Sequence, residues 1–163
     1  MSLFTDDEDT TLVDEVPSCF ELMDYEYIPV NVEDIQEMHL LPHQLEFMQD
    51  TKTKILGIVS GYGGGKTYIA ARKLLHLALL NPGTDLIATE PNFPLLIQIL
   101  IPEVHSALRE FGLSYKFKAT EQTFYVHING ETNRLICKSM ENYDRLIGIN
   151  ASGIVLDEFD TTK

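Results

Sequence analysis

The sequence predicts an α/β fold, with a mostly parallel sheet flanked by helices. Three observations carry that expectation. Short apolar runs at 55–59, 85–90 and 154–157 have the length and composition of buried strands. Between them lie longer stretches, 68–80 and 93–111, with helical composition. A glycine-rich turn, Ser60-Gly61-Tyr62-Gly63-Gly64-Gly65, joins the first run to the first long helix. Strands that alternate with helices pair in parallel through right-handed crossovers.

Each element has a local reason. Residues 43–49 read as a short helix. Ile55-Leu56-Gly57-Ile58-Val59 is the first strand. From Tyr68 to Leu80, Ile69, Leu74, Leu75, Leu77 and Leu79 with Ala70, Ala71 and Ala78 give a helix with a wide apolar face. Asn81-Pro82-Gly83 stops it. Asp85 to Glu90 is a second strand, and 93–111 a helix with a break expected at Pro102. Residues 115–118, 124–128 and 135–138 read as short strands. Asn129-Gly130 marks a hairpin between the last two. Residues 142–148 are a short helix or loop, and Ile154-Val155-Leu156-Asp157 is a final buried strand.

Charge divides the chain. Residues 1–51 hold 14 of the 25 Asp and Glu and no Lys or Arg. The remainder holds 11 acids against all 12 bases, so the net −13 belongs to the front of the chain. Residues 1–17 read as an acidic, flexible arm, and 18–163 as one domain. Within 18–40, Phe20, Leu22, Tyr25, Tyr27, Ile28 and Val30 are enough to pack on something. Whole-chain charge gives no signature of nucleic-acid binding, so any such surface is local or lies elsewhere. No apolar run approaches the roughly 18 residues of a membrane span, and no signal peptide is legible. Cys19 and Cys137 form no metal pattern and suit a reducing compartment.

The chemistry concentrates at two places. Gly65-Lys66-Thr67 after a glycine loop matches the end of a phosphate-binding loop, although Ser60 stands where the pattern has its first Gly. Backbone N–H groups of Ser60 through Gly65 would wrap phosphates, Lys66 would reach the β/γ oxygens, and the Thr67 hydroxyl would ligate Mg²⁺. The helix N-terminus adds its positive dipole end. Asp157-Glu158 ends the last strand, 91 residues after Lys66. The first acid of such a pair suits Mg²⁺, and the second suits polarising an attacking water. Adjacent residues at a strand end face opposite ways, so the two can take separate roles. Gln44, about 20 residues before Lys66, offers an amide that fits an adenine edge, or else it stands exposed on its helix. Arg145 is either a finger for γ-phosphate charge or a surface partner of Asp144 or Glu141.

Taken in order, Pro42-x-Gln44, Ser60–Thr67, Thr89-Glu-Pro-Asn-Phe-Pro94, Arg145-Leu-Ile-Gly148 and Ile154–Glu158 resemble the ATPase domain of tailed-phage large terminase subunits. The resemblance runs from about 40 to 160. It implies a P-loop NTPase of the additional-strand type, using ATP and Mg²⁺ to package double-stranded DNA. By this resemblance Lys66 and Thr67 bind phosphate and metal, Asp157 is the Mg²⁺ acid and Glu158 the catalytic base. Gln44 reads adenine, and Arg145 is a finger offered to a neighbour. It also implies a homo-oligomeric ring, a portal protein and a small terminase subunit as partners, and a place in the host cytoplasm at the portal vertex. Tyr62 sits where many relatives carry a loop Arg, so Arg145 or a partner supplies that charge. Relatives continue with a coupling motif, further strands and a nuclease domain, so the domain is expected to be incomplete at its C-terminus. A helicase, or a nucleotide-binding fragment without turnover, would share the core motifs.

Overall fold

The computed structural model describes residues 40–158, apart from the side chains of Asn142 and Arg145. The acidic arm and the apolar residues of 18–39 lie outside the described residues. Helix α1 spans Pro42–Gln49 and α2 spans Lys66–Leu80. Strand β1 is Asp85–Glu90. A short helix α3, Phe93–Leu95, runs through a widened π turn, Leu96–Leu100, into α4, Ile101–Glu110. Strands β2 (Tyr115–Lys118), β3 (Thr123–Ile128) and β4 (Glu131–Ser139) follow. A 3₁₀ segment, Met140–Leu146, leads to β5, Ala151–Leu156. No described helix is long and apolar enough to cross a membrane.

The five strands lie in the order β2-β3-β4-β1-β5. β1 pairs in parallel with β4 and β5. β2 with β3 and β3 with β4 are antiparallel, so the sheet is mixed and not mostly parallel. The cause is the hairpin the sequence announces. Asn129 (φ 53°) and Gly130 (φ 82°) both take the left-handed region, as a two-residue turn matched to strand twist requires.

Two further expectations fail. Residues 55–59 form no strand, and Ile55 and Val59 are largely exposed. An apolar run becomes a strand only where a neighbour can take its backbone N–H and C=O groups, and none of the described strands pairs with it. Pro102 does not break its helix. Proline has no N–H and crowds the carbonyl four residues back. The π turn absorbs this: the Ile101 N–H donates five residues back, to Leu96 O, and the helix continues.

Alternation along the strands gives the sheet two unlike faces. Leu86, Ala88, Phe124, Val126, Leu135 and Cys137 face inward, onto α2, the π turn and α4, and make one core. The opposite, outer face carries Ile87, Thr89, Thr123 and Ile136 at its centre. The β1–β5 register shifts at its start, so that Asp85 pairs with Ala151 but Leu86 with Gly153. Ser152 is the extra residue, and its hydroxyl meets Thr84 Oγ1 at 2.7 Å and Asp85 O at 3.3 Å.

Inside the helical layer Arg72 is almost wholly buried. Its guanidinium donates to Glu103 Oε1 (2.6 Å), to Glu110 Oε2 and to Tyr68 O (2.8 Å), tying α2 to α4. The Tyr68 ring lies 3.2 Å beneath its central carbon.

Candidate functional site

The glycine loop turns tightly into α2. Gly64 N donates to Gly61 O at 3.1 Å. Gly63 (φ 75°) and Gly65 (φ 72°) take the left-handed region that glycine reaches freely. Gly65 is doubly constrained, because a Cβ there would stand 2.6 Å from Gln44 Nε2. A Cβ at Gly64 would collide with the Ser60 side chain, so the small Ser60 and the glycine fit together. The Lys66 ammonium donates to Ser60 O (3.1 Å) and Gly61 O (3.4 Å), curling over its own loop. Thr67 is half-buried in the first turn of α2, and Tyr62 is fully exposed.

Gln44 is 4% exposed, so it is not the exposed helix Gln allowed by the sequence. Its Oε1 accepts from Leu41 N (3.0 Å), and its Nε2 donates to Gly64 O (3.5 Å). The amide therefore joins α1 to the glycine loop. Lys73, unremarked in the sequence, holds the other end of α1. Its buried ammonium donates to the carbonyls of Phe47 (3.1 Å), Met48 (3.0 Å) and Asp50 (2.7 Å). Those are the orphan acceptors of a helix C-terminus. Burial holds its pKa below the usual lysine value.

At the other strand end, Asp157 N donates to Thr89 O at 3.1 Å, extending the ladder past β5. Asp157 is buried and Glu158 exposed, so the two acids do face different surroundings. Asp157 Oδ1 accepts from Glu158 N (3.0 Å), and the buried carboxyl also meets the side chain of Glu90. Glu158 takes φ 47°, a costly conformation for a side-chain-bearing residue and one common at functional sites.

Glu90 is the residue that sequence reading missed. It ends β1 beside Asp157 and is 1% exposed. Burial, then the charges of Asp157 and Glu158 and a hydrogen bond to Asp157, push its pKa up to about 8. The available signal was an acid closing an apolar run, the same pattern that marked Asp157.

The two halves share one end of the sheet. Leu77, late in α2, packs on Gly153, early in β5, where a Cβ would stand 3.0 Å from Leu77 Cδ1. Helix α2 thus runs against β5, and its N-terminal Lys66 and Thr67 lie toward the carboxyl ends of the strands, with Asp157. Ligands of open α/β sheets bind there. The donor set fits a divalent cation. Asp157 is a buried carboxylate beside the Glu90 carboxyl, and Thr67 is a hydroxyl at the loop. The described residues contain no group of three or more His, Cys, Asp or Glu arranged to hold a metal ion by themselves. A site with one or two protein ligands would suit Mg²⁺, whose shell is otherwise water and phosphate. The backbone of Arg145 lies in the 3₁₀ segment, with its side chain outside the described residues.

Solved structures share this architecture. The large terminase from the thermophilic bacteriophage D6E superposes with a TM-score of 0.63 at 17% identity, over 75% of this chain and 33% of that one. The Thermus phage P74-26 large terminase ATPase domain gives 0.51 at 18% identity, over 59% of this chain and 44% of that one. The fold is that of a large terminase ATPase domain. A second crystal form of the D6E protein gives a TM-score of 0.60 at 16% identity, over 73% of this chain and 31% of that one. This chain therefore spans about a third of the length of the D6E structures it matches. No family model and no curated protein matches the sequence.

Proposed function

We propose that this chain is the ATPase part of a phage terminase large subunit, a motor that hydrolyses ATP to package double-stranded DNA. One observation supports the reading above the rest. A glycine loop opening a helix and a buried strand-end acid, Asp157, lie at the same end of a terminase-like sheet.

In this reading the backbone N–H groups of Ser60 through Gly65 surround the phosphates. Lys66 releases the carbonyls of Ser60 and Gly61 to reach the β/γ oxygens. Thr67 and Asp157 would hold Mg²⁺, which would supply charge neutralisation at the phosphates. Glu158 accepts the proton of the attacking water from its exposed place beside the cation site. Gln44 meets the adenine edge or relays its presence to the loop through Gly64. Arg145 supplies charge to a neighbouring subunit's site, since Tyr62 cannot. The partners are DNA, a portal protein, a small terminase subunit and further copies in a ring, in the host cytoplasm at the portal vertex.

The test is ATP turnover and ATP binding measured side by side. Lys66→Ala should lose both. Glu158→Gln should bind ATP and release no phosphate, and unchanged turnover in that variant would sink the base assignment. Stimulation by procapsids supports packaging, whereas strand separation without procapsids supports a helicase.

A further inference from the structure

Glu90 occupies a place that neither the glycine loop nor the Asp157-Glu158 pair accounts for. Thr89 pairs with Leu156 across the parallel strands β1 and β5, and Asp157 N donates to Thr89 O. The side chains that follow, Glu90 and Asp157, continue the inward series of Leu86 and Ala88 on β1 and of Val155 on β5. They leave the two strand ends side by side. Glu90 is 1% exposed and Asp157 5%. Carboxyl groups are seldom buried so deeply unless a base or a metal pairs with them. Among the described residues, no Lys, Arg or His forms an ion pair with either one. Glu90 meets the Asp157 carboxyl instead.

Two carboxyl groups bond to each other only when one of them donates. Glu90 is the more deeply buried, and burial favours the neutral form, so Glu90 is the donor. Asp157 remains the acceptor, held at two points, by Glu158 N and by Glu90. The ladder to β1 fixes the backbone of Asp157 but leaves its side-chain torsions to be set by contacts.

We propose that Glu90 is a positioning residue for the cation site, holding the Asp157 carboxylate in the orientation in which it meets the metal. The proposal rests on the ATPase reading above and adds a residue from a different strand. Groups behind a metal ligand fix its direction, and their loss weakens metal binding by roughly 10–100-fold.

Mn²⁺ affinity tests this, read by electron paramagnetic resonance on the intact chain with a non-hydrolysable ATP analogue. Glu90→Met fills similar space without a donor and should bind Mn²⁺ about tenfold more weakly or worse. Glu90→Gln keeps an N–H for Asp157 and should restore the wild-type affinity. Mn²⁺ held by Glu90→Met as tightly as by wild type would overturn the proposal. So would weak binding by Glu90→Gln, because Glu90 would then be a ligand itself. That nearly isosteric variant decides the question even if Glu90→Met fails to fold. Binding of the analogue without metal keeps the two readings apart. Lys66→Ala should lose the analogue. If it binds the analogue like wild type, the ATPase reading falls and this proposal with it. If the analogue is lost there while Glu90→Met keeps its Mn²⁺, the positioning role alone falls.

Discussion

Ile55-Leu56-Gly57-Ile58-Val59 and Gly153-Ile154-Val155-Leu156 are nearly the same word, and the chain treats them oppositely. The second is β5, laddered to β1, with Val155 against the core. The first is unpaired, with Ile55 and Val59 in water. Apolar, β-branched composition licenses a strand without creating one; a partner edge does that. The two halves of the site inherit the difference. Asp157 is aimed by a backbone ladder. The glycine loop is steadied by side chains, Gln44 on Gly64 and Lys73 on the end of α1.

Substitutions can break this contrast or sharpen it. The largest effect belongs to the laddered side. Val155→Asp sets a carboxylate against the core and should cost roughly 4 kcal/mol, read as a lower urea midpoint or as failure to fold. Lys73→Met strands three carbonyls at the end of α1 and should cost about 2 kcal/mol. Its signature is faster amide exchange in α1, with β1 and β5 unchanged. Equal exchange in both would mean that the loop side is not separately held.

Glu90 gives a smaller, pH-dependent effect. Its folded-state pKa of about 8 lies above the ordinary 4.5, so the folded chain keeps a proton that the unfolded chain releases. Wild type should therefore lose stability relative to Glu90→Gln as pH rises from 4.5 to about 8, with no divergence below that window. Melting temperatures of both proteins across the range check the sign. The smallest change is Ile55→Ser, which should stay within about 0.5 kcal/mol. A loss of 2 kcal/mol or more would mean that this run is buried in solution after all.

Much of this was legible. The start of α2 followed from its glycine loop, and the β3–β4 turn from Asn129-Gly130, because both are dictated by residues a few positions apart. β1 and β5 followed from their apolar runs. What could not be read depends on which distant groups meet. The mixed sheet, the idle run at 55–59, Gln44 bonded to Gly64 O and Glu90 lying against Asp157 are all such facts. Among the site residues, Lys66 and Thr67 are placed by local sequence, whereas the burial of Asp157 depends on its pairing with a strand 68 positions earlier.

Ser152 gives that pairing a further meaning. As the extra residue at the start of β5, it shifts the parity of everything downstream. With it, Gly153, Val155 and Asp157 turn toward α2. Were Ser152 instead paired with Leu86 in regular register, the even-numbered residues would turn there, and Glu158 would take the orientation that Asp157 holds now. The division of labour between two adjacent acids is thus decided six residues upstream, by one serine hydroxyl pinned to Thr84 and Asp85.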